Sequence, residues 1–347
     1  MTELSSGLIS LLSFSNLAII GGQMVCALLL DALLGEPKRY HPLVGFGHLV
    51  NRLKAKCNKA FYASHQSRSC TAPRVQGALC WLILVLPLPI ALWGLNHAAI
   101  RYAHSIESQL LIGLIYLLNS CVLYLTLGMQ SLKEHAMQIY HPLAQGDITN
   151  ARHFTAYMVS RDTQALTSHD MSRATVESVL ENGHDGVIAS LFYFAIGGAP
   201  LAVLHRLANT LDAMWGYKTP RFLHFGWFSA RADDHLGWLS AYCTSILYVL
   251  ATSPPFQYTH LTRAWQQAKG YKSRNGGRCM ATGAGVLHFT LGGTSDYQGK
   301  TIHSPVLGLG EAVTLADIPR SIGLVARSAW LLALALFLLG ILMQILF

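Results

Sequence analysis

Four apolar runs dominate the chain: Asn16–Leu34, Gly77–Leu95, Gln109–Gly128 and Ala329–Phe347. Each approaches the roughly 20 residues that carry an α-helix across a hydrocarbon core, so each predicts a membrane span. Two weaker windows, Gly186–Leu204 and Leu236–Thr252, are interrupted by Gly197-Gly198-Ala199-Pro200 or by scattered polar residues. The pattern leaves these open as spans, re-entrant segments or buried core helices. From Met129 to Asp185 the chain turns amphipathic and polar. There Thr167 or Ser168 can cap a helix running to about Asn182, with Gly183 at the C′ position. On it Arg173, Glu177 and Glu181 recur at i, i+4 and i+8 and share one face, away from Met171, Ala174 and Val179. Arg206–Gly216 also reads as a helix, with Arg206, Asn209 and Asp212 roughly along one side. The fold class expected is all-α: a polytopic integral membrane protein with amphipathic cytoplasmic helices and candidate re-entrant segments.

Composition agrees with a membrane setting. The hydrophobic fraction is 52% and the mean hydropathy +0.36, too apolar for an ordinary soluble protein of 347 residues. Before Asp31 the only charge is Glu3, and no Lys or Arg precedes Lys38, so the basic region of a cleaved signal is missing. The seven cysteines form no C-x-x-C pair. Cys26, Cys80, Cys121 and Cys243 fall in apolar windows as small inert hydrophobes, which suggests neither a disulfide framework nor a zinc site. The net charge of +8 is uneven. Lys38, Arg39, Arg52, Lys54, Lys56, Lys59, Arg68 and Arg74 lie between the first two spans, which puts that loop in the cytoplasm and the N-terminus outside. Arg263, Lys269, Lys272, Arg274 and Arg278 form a second cluster with the same expectation. Both adjoin membrane segments, so anionic lipid or phosphorylated ligands fit them and nucleic acid does not. The expected location is the bacterial inner membrane, with several passes.

The candidate chemistry is concentrated in residues 160–235 of a chain that is only 12% charged. Ser160-Arg161-Asp162-Thr163, Glu177, Glu181-Asn182, Asp185-Gly186, Asn209-Thr210-Leu211-Asp212 and Arg231-Ala232-Asp233-Asp234 all fall there, between apolar runs. Charged groups near a bilayer persist when they pair or perform chemistry, because desolvating them is costly. No G-x-x-x-x-G-K-[ST], G-x-G-x-x-G or H-E-x-x-H occurs, and the 16 histidines show no ligand spacing. A nucleotide would need a non-Walker site. Gly276-Gly277 and Gly292-Gly293-Thr294 offer backbone amides to a phosphate only weakly. Asp233 and Asp234, if helical, diverge by about 100° and meet one metal only at a helix end or in a loop.

At these residues the chain resembles the membrane-bound adenosylcobinamide-phosphate synthases of cobalamin biosynthesis, from Leu30 to near the C-terminus. The resemblance opens with Asp31-Ala32-Leu33-Leu34-Gly35-Glu36-Pro37 and His41-Pro42. It continues through Ser160–Thr163, Arg173–Ser178, Glu181-Asn182, Asp185-Gly186 and Gly197–Pro200. Asn209–Met214, Gly216-Tyr217, Phe225-Gly226, Ala230-Arg231 and Asp233-Asp234 follow in order. It implies a ligase that joins a carboxylate of adenosylcobyric acid to the amine of 1-amino-2-propanol phosphate, or a related amino alcohol, with ATP hydrolysis. The implied cofactors are ATP and Mg²⁺. Glu177, Glu181 and Asp212 would be catalytic, with Glu177 or Glu181 as base or amine-orienting group. Arg161, Asp162, Thr163, Arg173, Asn182, Asn209 and Arg231 would bind substrate and phosphate. Asp185, Asp233 and Asp234, with Asp212, would position the metal. Partners would be the corrinoid, the amino-alcohol phosphate, membrane lipids, and a second copy or other cobalamin-assembly membrane enzymes. One membrane-embedded domain is expected over 1–347, with a polar catalytic region at 129–235 and a divergent cytoplasmic segment at 254–327.

The chain departs from the family pattern in four places. Ser273–Met280 lacks the proline and the acidic residue usual there, and a downstream Asn or Gly-Pro-Asn-like element is reduced to Gly292-Gly293-Thr294-Ser295. Ser190 stands where a proline is usual, and Gly237–Tyr242 replaces an Asn-x-x-Pro-Ala-Arg run. A non-catalytic membrane regulator or sensor of the same superfamily is therefore the alternative, and a transporter a third reading. Cytoplasmic ATP would put 160–185 and 206–235 on one side, so 186–204 would be re-entrant or laterally packed.

Overall fold

The computed structural model describes residues 14–37, 39, 41–58, 71–159, 163–252, 258–297 and 300–346. Five helical stretches among them are long and apolar enough to cross a membrane: Asn16–Leu34, Thr71–Ser105, Gln109–Ala144, Ser168–Trp215 and Asp317–Leu346. Among the described residues the four strong apolar runs are thus largely helical, and the protein is multi-pass. Gly77–Leu95 divides between two helices at Leu86, and the helix in Gln109–Gly128 ends at Tyr124. The window at 186–204 belongs to the fourth stretch, 56% of whose apolar window is buried inside the protein, against 17–33% for the others. The window at 236–252 is helical without joining this set. The chain divides into two compact units, and the division falls inside three helices.

The first unit comprises 1–127, 190–236 and 333–347. It holds α1 (Phe14–Leu34), α2 (Pro42–Cys57), α3 (Thr71–Val85), α4 (Pro87–Ser105) and α5 (Gln109–Tyr124). Most of α9 (Ala189–Trp215) and the start of α10 (Trp227–Leu250) also belong to it. Pro87 opens α4 at a position where its missing N–H is no loss. Val50, Trp81, Leu84, Leu207, Leu211, Trp215 and Phe225 form an apolar core within it. Polar side chains within the spans are paired across helices. Asn96 and Asn119 exchange amide hydrogen bonds of 2.7 and 3.2 Å, and Gln23 donates to the Tyr116 carbonyl at 2.9 Å. The expected break in α9 is present. Gly197 (φ −148°, ψ 24°) and Gly198 (φ 65°, ψ −160°) interrupt the helix before Pro200.

The second unit comprises 128–189 and 237–332. It holds α6 (Met129–Ala144), α7 (Ile148–Met158), α8 (Ser168–Gly183), α11 (Tyr258–Ala268) and α12 (Arg274–Leu287). The end of α10 and the start of α13 (Asp317–Leu346) complete its helices. Thr167, rather than Ser168, caps α8. Its hydroxyl accepts from the Asp170 N–H at 3.1 Å while the Asp170 carboxylate accepts from the Thr167 N–H, a full capping box. Gly183 does not end the helix as a left-handed C′ residue; it is helical (φ −60°) and leads into a π-turn at His184–Ile188. A Cβ there would lie 2.5 Å from Val325 and 3.0 Å from the Tyr248 hydroxyl, so packing explains the glycine. The divergent segment adds a small sheet to an otherwise helical fold, ordered β2-β1-β3. In it β1 (Phe289–Tyr297) pairs antiparallel with β2 (Lys300–Gly308) and parallel with β3 (Glu311–Ala312).

Candidate functional site

In the second unit, the polar stripe of α8 runs along three successive turns into the π-turn. Arg173 is buried and its guanidinium makes three hydrogen bonds within the protein: it donates to the Gly292 carbonyl at 3.1 Å, the Thr294 carbonyl at 3.3 Å and Asp170 at 3.0 Å. One turn on, Glu177 accepts from the Gly292 N–H at 3.0 Å. Arg173 and Glu177 thus grip Gly292 by its carbonyl and its N–H. That residue lies where the β1/β2 register shifts, at φ 72°, and a Cβ on it would run into the Pro305 carbonyl, so only glycine fits the bulge.

Glu181 follows one turn later. Its carboxylate lies against Gly276 in the first turn of α12, which Ser273 caps by accepting from the Gly276 N–H at 3.2 Å. A helix N-terminus favours a carboxylate there. The Lys272 charge also attracts Glu181, while Glu177 and Asp185 repel it. Asp185 is half-buried in the π-turn, with Oδ1 2.6 Å from His184 Nδ1. His184 is fully buried, and its Nε2 lies 2.9 Å from the Ser240 hydroxyl. Arg278 stacks on the Tyr242 ring at 3.8 Å and reaches back to Asn275 at 3.4 Å. π-turns recur at functional sites. This one ends a line of three carboxylates, Glu177, Glu181 and Asp185, spaced four residues apart. The divergent segment 273–280 therefore forms part of this cluster.

The first unit holds a separate polar chain. His41 caps α2 by accepting from the Leu43 N–H at 3.2 Å and sits 3.8 Å from Glu36. Burial pushes its imidazole below the ordinary histidine value; the Glu36 carboxylate opposes this and the Arg206 guanidinium adds to it. Tyr124 donates to the Gly35 carbonyl at 2.6 Å, close to the buried Asp31. Arg206 reaches Asn209 at 3.5 Å, and Asn209 donates to Asp233 at 3.3 Å. Tyr193 stacks on His205 and donates to the Leu236 carbonyl at 2.7 Å. Asp212 lies against Gly216.

The predicted residues therefore fall into two groups. Thr163, Arg173, Glu177, Glu181, Asn182 and Asp185 belong to the second unit, and Asn209, Asp212, Arg231, Asp233 and Asp234 to the first. Arg161 and Asp162 lie outside the described residues. Thr163 is buried, and Asn182 donates back to Ser178 on its own helix at 2.9 Å. Asp233 and Asp234 are consecutive within α10 rather than at its end; Asp233 turns to Asn209, and Asp234 is exposed, as is Arg231. Among the described residues no group of three or more His, Cys, Asp or Glu is placed to hold a metal ion. That still leaves room for Mg²⁺, which is commonly held by one or two carboxylates plus substrate phosphates. Sequence reasoning passed over His184, Ser240, Lys272 and Asn275 as site residues. Only Lys272 carried a signal, as part of the second basic cluster.

The family model described as CobD/Cbib protein matches residues 24–325. The chain is 44% identical over 311 residues to a cobalamin biosynthesis protein CobD from Chromobacterium violaceum, covering 88% of this chain and 92% of the relative. A relative of the same name from Stutzerimonas stutzeri is 42% identical over 321 residues (92% and 96%). One from Halalkalibacterium halodurans is 37% identical over 322 residues (91% and 95%). No solved structure matches the chain.

Proposed function

The chain belongs to the CobD/Cbib protein family, and from that membership we propose that it serves cobalamin biosynthesis as an ATP-dependent acid–amine ligase. Its substrates would be adenosylcobyric acid and 1-amino-2-propanol phosphate or a related amino alcohol. The product would be adenosylcobinamide phosphate. The observation that carries the reading beyond family membership is the line Glu177, Glu181 and Asp185, with Lys272 beside it.

The chemistry asks for two things. A carboxylate is a poor electrophile, so its oxygen first attacks the γ-phosphorus of ATP, releasing ADP and leaving an acyl phosphate. The amine nitrogen then attacks the acyl carbon, the C–O bond to phosphate breaks, and the ammonium proton must go to a base. Glu181 is assigned the base as the middle carboxylate of that line, lying against the first turn of α12. Glu177 is engaged by the Gly292 N–H, so it and Arg173 hold the bulged hairpin beside the site. Mg²⁺, carried on the ATP phosphates, would neutralise their charge, and Asp185 fits it as a half-exposed carboxylate in close contact with an imidazole. Asp233 and Asp234 are further candidates for that role. Asn209, Asp212 and Arg231, with Arg161, Asp162, Thr163 and Asn182, are assigned to substrate or phosphate binding, Asp212 as a further catalytic carboxylate.

The test is a ligase assay on membranes containing the protein, with both substrates, Mg²⁺ and ATP, and mass detection of the amide. ATP-dependent product supports the reading. A folded protein that makes no product with phosphorylated or unphosphorylated amino alcohol overturns it in favour of the regulatory relative.

A further inference from the structure

His184 is one of 16 histidines without ligand spacing, and its surroundings assign it a specific task. Both ring nitrogens face a polar group: Nε2 is hydrogen-bonded to Ser240 Oγ at 2.9 Å, and Nδ1 lies 2.6 Å from Asp185 Oδ1 in a close polar contact that is off the line of a hydrogen bond. Ser240 is itself fully buried and donates to the Gly237 carbonyl at 3.2 Å. The ring edge is enclosed as well. A Cβ on Gly237 would lie 3.6 Å from His184 Cε1 and 2.7 Å from Asn275 Nδ2.

A buried histidine satisfied by a hydroxyl is ordinary core chemistry, but that does not account for its second partner. Neighbouring residues on an α-helix point about 100° apart and do not normally meet. Here they meet where the backbone widens into the π-turn, and the residue so held is a half-exposed carboxylate. The three side chains repeat the Ser–His–Asp order of a catalytic triad. Yet Ser240 is sealed from solvent, so the trio opens to solvent at the carboxylate and not at the hydroxyl. We propose that His184, anchored by Ser240, is a positioning residue that sets the Asp185 carboxylate for the ligase reaction. The inference rests on the ligase reading of the site.

Two near-isosteric substitutions separate this role from simple packing. Asn places its amide nitrogen where Nδ1 stands and keeps the contact to Asp185. Gln places it where Nε2 stands and keeps the contact to Ser240. We expect H184N to stay within about threefold of wild-type turnover and H184Q to lose roughly 10–100-fold. H184Q should change the same parameter, kcat or KM for ATP, that D185N changes. The double variant H184Q/D185N should be no slower than D185N alone. The unfolding midpoint in detergent supplies a readout free of turnover: H184Q should lower it in the Asp185 background but not in the D185N background. S240A, a minimal change, should lower turnover about tenfold by freeing the ring. Gln outperforming Asn, additive losses in the double variant, or an unchanged S240A would each overturn the positioning role while leaving the ligase reading intact. A wild-type protein that makes no amide would overturn the ligase reading and the catalytic use of this pair with it.

Discussion

Adding one methyl group at Gly276 isolates the Glu181 carboxylate from the stability of its surroundings. A Cβ at 276 would collide with Glu181 Oε1, the far end of a flexible side chain, so the carboxylate must move while the helix need not. Alanine is also the better helix former. Gly276→Ala should therefore keep or slightly raise the unfolding midpoint while turnover falls roughly 10–100-fold, as about 1 Å of misplacement at a reacting group can cost. Equal turnover in the two proteins would remove Glu181 from the mechanism. His41 gives a prediction in pH. Its folded value lies below the ordinary 6.5, so the folded chain favours the neutral ring, which is also the form able to accept from the Leu43 N–H. The stability it contributes is complete above pH 6.5 and is lost as pH falls through the lower folded value. His41→Asn, which keeps a capping acceptor without the titration, should show less acid sensitivity in its unfolding midpoint between neutral and mildly acidic pH. At this scale the sequence shows which residues share a face but not what each one touches. The spacing of Arg173, Glu177 and Glu181 predicts one stripe, and the stripe exists. That two of its members grip Gly292 depends on a hairpin more than 100 residues later in the chain.

Among the elements, the break in α9 combines a conformation and a consequence. Gly198, at φ 65° and ψ −160°, occupies a region that is essentially glycine-only. Gly198→Ala should cost about 1–3 kcal/mol in detergent unfolding. The same substitution at Gly94, a helical glycine where an added Cβ would meet nothing within 4 Å, should cost nothing and serves as the control. Equal effects at the two positions would mean that the break is not held by its backbone conformation. The Gly-Gly-Ala-Pro run announces this break because glycine and proline act through the local backbone. The apolar runs announce their helices for an equally local reason, since a bilayer core demands length and continuity. The π-turn and the sheet announce nothing. At His184 the chain simply gains one residue in a turn, with no punctuating glycine or proline inside the shift beyond Gly186. In β1 the pair Gly292-Gly293 reads from sequence as a turn or, weakly, as a phosphate loop, and its place at a bulge is not visible there.

For the molecule as a whole, the two polar clusters belong to different units, and the proposed reaction makes a demand on both. The ATP that the proposed reaction would use is cytoplasmic, so side chains assigned to it must be reachable from that side wherever the helices run. The positive-inside rule makes the same demand of the Arg263–Arg278 cluster. Lys218, in the connection between α9 and α10, and Arg274, at the start of α12, are both exposed. We therefore expect K218C and R274C, each in a background lacking the seven native cysteines, to react with a membrane-impermeant maleimide in inverted vesicles and not in intact cells. Labelling of K218C from the outer face would place Asn209, Asp212 and Asp233, or at least the loop they flank, across the membrane from ATP. Their assignment to the triphosphate would then fall, while Glu177, Glu181 and Asp185 would keep theirs. Labelling of R274C from the outer face would do the reverse, removing the Glu181 carboxylate that packs against the first turn of α12. The sequence alone does not choose between these outcomes, because a helix broken at Gly197-Gly198 is long enough to cross and is also broken where a re-entrant path would turn.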